Sequence, residues 1–202
     1  MKSPRNLSDN VLLKQYLAGD EAAFVSLMRR YKEPITTYSY RFLGNYDDAV
    51  DVAQETFVRL HRFGHTFIGE VKFSTWLYTI ASNLARTELK RYRRRFGITF
   101  TEMFNVKEVD TAWDIPDESY MPDENVDRKT IVQDVQRALM RVSPTYREMV
   151  ILRDVNQLSY EEIAAITGTE MGTVKSRISR GRIQLQDLLR DLYIEVFPSA
   201  EA

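Results

Sequence analysis

The sequence predicts an all-α protein of two small helical domains joined by a flexible acidic linker, and three observations carry that expectation. Apolar residues recur at helical spacing through both halves, with no alternating run long enough for a strand. Residues 101–128 hold nine acidic and two basic side chains, together with Pro116 and Pro122, and show no period. Residues 159–185 place a Ser-x-x-Glu start, a small residue, a glycine and inward aliphatics at the spacing of a helix-turn-helix. The domains are expected at 7–96 and 131–192, with the linker at 97–130.

Each element has its own local reason. Ser8 is placed to cap a first helix that Gly19 ends, and Asp20 to cap a second, in which Pro34 is expected to kink or divide the run. Gly44 and Asn45 stop it. Asp47 starts a third helix, whose Ala49, Val52, Ala53, Phe57 and Leu60 share a face. After the loop "GHTFIGEVK", Ser74 caps a fourth, striped by Trp76, Leu77, Ile80, Ala81, Leu84 and Leu89. Beyond the acidic stretch, "KTIVQDVQRALMRV" resumes the helical period, and Ser143-Pro144 interrupts it before "TYREMVILRDV". Two further helices follow, "SYEEIAAIT" and "MGTVKSRISRGRIQLQDLLRDLYIEVF".

Composition narrows the chemistry. Among 202 residues there is no cysteine, so disulfides, thiolate metal sites and a Cys nucleophile are excluded. No apolar run is long enough to cross a membrane or to form a signal peptide, so a cytoplasmic protein is expected. Neither a Gly-rich phosphate loop nor a nucleophile triad is present, and His61 with His65 lacks further ligands nearby. No catalysis, metal or cofactor is therefore expected. The formal net charge is −1, so the information lies in the charge pattern.

Two clusters stand out. In "GTVKSRISRGR" (172–182), a projection at about 100° per residue puts Val174, Ile178, Gly181 and Leu185 on one face. Gly172, Ser176, Ser179, Arg180 and Ile183 fall opposite. Lys175 and Arg182 lie on one flank, with Thr173 and Arg177 on the other. Small polar groups flanked by cations suit a helix lying in a major groove, with its flanks on phosphates and its centre on base edges. Gly172, near the helix start, lets backbone N–H groups approach a phosphate. Gly181 is read as permitting close packing, and Gly168 as supplying a positive φ at the turn. The second cluster is "RTELKRYRRR" (86–95), with six basic residues and one Glu, which suits a phosphate anchor.

Here the chain resembles a known family. "LSYEEIAAITGTEMGTVKSRISRGR" is similar to the C-terminal DNA-binding domain of bacterial sigma-70 family RNA polymerase sigma factors, of the extracytoplasmic-function (ECF) class. "DDAVDVAQETFVRLHR" resembles the family's polymerase-binding helix, and "FSTWLYTIASNLARTELKRYRRR" its helix for melting the promoter and reading the upstream hexamer. The chain departs from the usual pattern at Gly168-Thr169-Glu170-Met171-Gly172, at Arg180-Gly181-Arg182 and at Val142-Ser143-Pro144, which bears on promoter specificity.

The resemblance implies a factor without covalent chemistry that reads −10 and −35 elements and helps melt DNA. Asp48, Asp51, Gln54, Glu55 and Arg59 would meet the clamp coiled coil of the core polymerase's largest subunit, and the C-terminal domain its flap. Asn83 and Arg86 would lie near the upstream hexamer, anchored by Lys90, Arg91, Arg93, Arg94 and Arg95. The loop around Phe67 would capture a flipped base, although a lid on its own core is an equal reading of Phe67. Trp76 reads as core, with a melting wedge as the alternative. The linker would run near the path of nascent RNA. An anti-sigma factor is an expected partner. A stand-alone helix-turn-helix regulator is the competing reading, distinguished by whether the protein associates with polymerase.

Overall fold

The computed structural model describes residues 7–96 and 125–196; the body of the expected linker, 97–124, lies outside them. Eight helices run in order: α1 (Asp9–Leu17), α2 (Glu21–Leu43), α3 (Tyr46–Phe63), α4 (Phe73–Phe96), α5 (Asn125–Arg141), α6 (Pro144–Val150), α7 (Tyr160–Thr167) and α8 (Met171–Val196). There is no strand among the described residues. A 3-10 turn, Gly64–Thr66, follows α3, and α6 passes into a π-helical turn, Ile151–Val155.

Local chemistry explains most boundaries. Asp20 accepts from the Ala22 N–H at 3.0 Å and starts α2. Gly44 ends α2 in the left-handed region, φ 80°, where a Cβ would also strike Met140. Pro34 does not divide α2, which runs unbroken past it. The proline lies on the exposed side of the helix. Two starts differ from expectation. Asn45, rather than Asp47, caps α3, its side chain accepting from the Asp48 N–H at 2.9 Å. α4 begins at Phe73, so Ser74 lies in its first turn and is not its cap. α5 begins at Asn125, inside the stretch read as linker.

α1–α4 enclose Leu27, Ile35, Tyr38, Leu60, Leu77 and Ala81, and α5–α8 enclose Leu139, Ile151, Leu152, Ile163, Val174 and Ile178; all are buried. Burial of such side chains contributes roughly 1.5–3 kcal/mol each. The two halves also pack against each other, α4 on α7 and α2 on α5 and α6.

The seam between them combines a buried apolar cluster that runs through both halves with several polar contacts. Arg147 of α6, 1 % exposed, donates to the carbonyl of Phe42 on α2 at 2.7 Å, and to those of Met140 and Val142. Burial, then the Arg93 charge, push its guanidinium down to about 9, so it stays cationic at neutral pH. Asn156 donates to the Tyr78 hydroxyl at 2.9 Å, Arg41 to Gln136 at 3.1 Å, and Lys72 pairs with Glu162 at 2.8 Å.

Candidate nucleic-acid interface

The C-terminal site is built from α7, a glycine turn and α8. Ser159 and Glu162 form a reciprocal capping box: the Ser159 hydroxyl accepts from the Glu162 N–H, and the Glu162 carboxylate from the Ser159 N–H. Burial acts to raise Glu162, but the Lys72 ion pair and the Ser159 N–H outweigh it, so its carboxyl lies below the usual range. Gly168 ends α7 at φ 62°, turning the chain into α8. Val174 and Ile178 of α8 point into the core. Gly181 sits against α6, where a Cβ would lie 2.6 Å from Val150 Cγ2 and 3.1 Å from the Tyr146 carbonyl.

The opposite face of α8 is open. Gly172, Lys175, Ser176, Ser179, Arg180 and Arg182 are exposed, and Thr173 and Arg177 half-buried. Ser176, Arg177 and Arg180 line a groove of about 850 Å³ with Arg141, Thr145, Tyr146 and Gln184. Sequence reasoning missed these last four. Thr145 and Tyr146 come from a different helix, and no local period ties them to α8.

Two of the flank cations are already engaged. Arg182 grips Asp154 through Nε at 3.0 Å and Nη2 at 2.5 Å, and this pairing raises its guanidinium further. Lys175 stands 5.7 Å over the Tyr160 ring. Arg180 touches the Tyr146 hydroxyl only at 3.5 Å.

In the N-terminal half, α4 presents Asn83, Lys90, Arg91, Arg94 and Arg95 to solvent. Arg93 is half-buried, and Arg91 pairs with Glu88 at 3.5 Å. Arg86 is not free. Its Nε donates to both oxygens of Glu148, at 3.1 and 2.9 Å. Glu148 is 4 % exposed and also accepts from the Ser82 hydroxyl at 2.6 Å and the Tyr38 hydroxyl at 3.0 Å. Burial first, and the Glu148 charge next, hold the Tyr38 hydroxyl well above its usual pKa. Phe67 is half-buried, its ring 5.6 Å from Trp76 and 5.8 Å from Phe73, which places it as a lid on that aromatic cluster. Trp76 itself is partly buried against the core.

On α3, Asp51, Gln54 and Arg59 are exposed, and Asp48 and Glu55 half-buried. Arg59 pairs with Glu55 at 3.0 Å. Burial, and then the neighbouring Glu88, Asp51 and Asp47, raise the Asp48 carboxyl. His61 meets the Tyr16 hydroxyl through Nδ1, and no metal-binding cluster forms among the described residues. No helix among them is long and apolar enough to cross a membrane.

These elements match known sequences in the same order. Sigma-70 region 2 matches residues 27–95, and Sigma-70 region 4 matches residues 133–185. The ECF RNA polymerase sigma factor SigW of Bacillus subtilis is 33 % identical over 180 residues, 89 % of this chain and 96 % of that protein. SigE of Mycolicibacterium smegmatis, also an ECF RNA polymerase sigma factor, is 37 % identical over 185 residues, 90 % of this chain and 68 % of that protein. Among solved structures, the sigma factor RpoE in complex with the anti-sigma factor NepR from Bartonella quintana superposes with a TM-score of 0.65 at 26 % identity, over 83 % of this chain and 96 % of that one. CnrH, in complex with the cytosolic domain of CnrY, superposes with a TM-score of 0.67 at 25 % identity, over 91 % and 97 %. Both regions in their proper order, and relatives aligned over most of the chain, show that this protein belongs to the sigma-70 family of RNA polymerase sigma factors, in its ECF class.

Proposed function

We propose that the chain is a promoter-specificity subunit that binds core RNA polymerase, reads a −35-type element with α8 and a −10-type element with α4, and helps melt the latter. The observation that carries this reading is the open face of α8, where Gly172, Ser176, Ser179 and Arg180 lie between cationic flanks on a capped helix-turn-helix. The basic end of α4 supplies a second, separate anchor, with Asn83 and Arg86 as the base-reading pair and Lys90, Arg91, Arg93, Arg94 and Arg95 on phosphates. Phe67, a lid in this conformation, would serve the opened strand only after leaving its cluster. Asp48, Asp51, Gln54, Glu55 and Arg59 form the polar face of α3 that would meet the polymerase clamp, and the C-terminal half would meet its flap. Domain limits of 7–96 and 131–192 fit these roles. The solved relatives in complex with NepR and CnrY support an anti-sigma partner for this chain too.

Purified chain added to core polymerase on fragmented genomic DNA is expected to give initiation at discrete sites that share two spaced elements. Absence of any site-specific transcript would overturn the reading. Failure to co-purify with polymerase while still binding DNA would favour a stand-alone regulator.

A further inference from the structure

A second cleft lies where α4, α6 and α8 meet. It encloses about 320 Å³, at the lower end of the range of small-ligand sites, and is too small for a duplex. Arg86, Lys90 and Arg93 reach it from α4, and Arg177 from α8. Glu148 is the one acid among the described residues that line it. Four cations against one carboxylate leave a surplus of positive charge in a recess. That charge is felt nearby: burial, and then the Arg93 charge, push the Arg147 guanidinium of α6 down to about 9.

The carboxylate is already satisfied. Glu148 accepts from the Tyr38 and Ser82 hydroxyls and from Nε of Arg86. Donors on the cations are not. The Nη groups of Arg86 make no hydrogen bond among the described residues, and Lys90 is exposed with no partner among them. Arg177 reaches only the Thr169 hydroxyl, at 3.4 Å. Thr145 of α6 adds an exposed hydroxyl, and buried Leu89 and Met149 form an apolar floor.

Donors that converge from two walls need acceptors that face more than one way. A carboxylate offers two oxygens in one plane. A diphosphate offers acceptors in all directions and carries more charge. Arginine forks and a lysine point charge are groups that bind phosphate well. We propose that this cleft is a binding site for a small anion with two or more phosphates, of the pyrophosphate or nucleoside diphosphate kind, bridged between α4 and α8. Such a ligand relieves the repulsion among the cations it joins and stabilises the folded chain by mass action. The site holds whether or not either helix reads DNA.

Isothermal titration calorimetry of the full chain, at about 0.15 M salt, tests it with sodium pyrophosphate and with ADP, and with citrate as the polycarboxylate control. One-to-one binding of a phosphate probe is expected, with citrate about tenfold weaker or worse. Binding of pyrophosphate as tight as that of ADP identifies the free anion as the ligand, and tighter binding of ADP the nucleotide; either supports the site. Lys90→Ala and Arg177→Ala, in opposite halves, should each weaken binding about tenfold. A circular dichroism spectrum checks that both variants fold. Lys90 has no partner to lose, so its variant decides alone if Arg177→Ala misfolds. Arg94 lies on the same helix outside the cleft. Failure of both phosphate probes to bind, equal affinity for citrate, or a loss from Arg94→Ala as large as that from Lys90→Ala overturns the proposal.

Discussion

At the residue scale, Arg180 and Lys175 lie on the same helix but in different surroundings. Arg180 is exposed in the groove, and its one hydrogen bond among the described residues is to the Tyr146 hydroxyl at 3.5 Å, a geometry that suits a base-edge contact. Lys175 lies over the Tyr160 ring at the flank, where a point charge suits a phosphate. Arg180→Ala should relax discrimination at one base pair of the −35-type element by about 1–3 kcal/mol. Lys175→Ala should weaken binding on all sequences and reduce the salt slope by about one. Competition binding on a set of single-base operator variants at two salt concentrations distinguishes them. Equal losses from Arg180→Ala on every variant would remove it from base reading.

At the scale of the element, the seating of α8 turns on Gly181. A Cβ there meets both a side chain and a backbone carbonyl of the neighbouring helix, and the backbone cannot step aside cheaply. Gly181→Ala should therefore destabilise by about 1–3 kcal/mol despite the better helix propensity of alanine, read as a lower urea midpoint. A stabilised variant would mean that α8 is free to shift. Gly181, the capping box at Ser159 and Glu162, and the turn at Gly168 were legible in the sequence because each signal spans only a few residues. Helix starts were less so: Asn45 and Asp47 are both good caps, and only the three-dimensional path of the chain selects Asn45. Pro34 does not divide α2, although the sequence allowed for a kink or a division there. The seam was not legible at all. Glu148 lies 110 residues from Tyr38 and 66 from Ser82, and no period links such positions. It changes the site as well, because Arg86, which the resemblance places near the upstream hexamer, is engaged through Nε by a carboxylate that the sequence places in another domain.

At the scale of the whole molecule, Arg147 ties the halves into one cooperative unit. It satisfies carbonyls on α2 and at the end of α5 from a position with almost no solvent access. The intact protein should unfold in one transition that helical circular dichroism and tryptophan fluorescence report alike. Arg147→Met keeps the bulk and strands those carbonyls, so a loss of about 3–5 kcal/mol and a split into two transitions are expected. A single, coincident transition in the variant would show that the apolar contacts alone couple the halves.

The clasp of Arg182 on Asp154 has a consequence for how strongly this protein feels salt. A cation that comes to DNA from bulk solvent releases a condensed counterion from the phosphates, and that release drives binding. Arg182 comes from a carboxylate. If it turns to a phosphate it trades one anion for another, and Asp154 must then recruit a cation from solution, offsetting the ion set free. The number of arginines on α8 thus overstates the ionic driving force of its complex. Part of that charge serves instead to fix α8 against Asp154 of the π-helical turn.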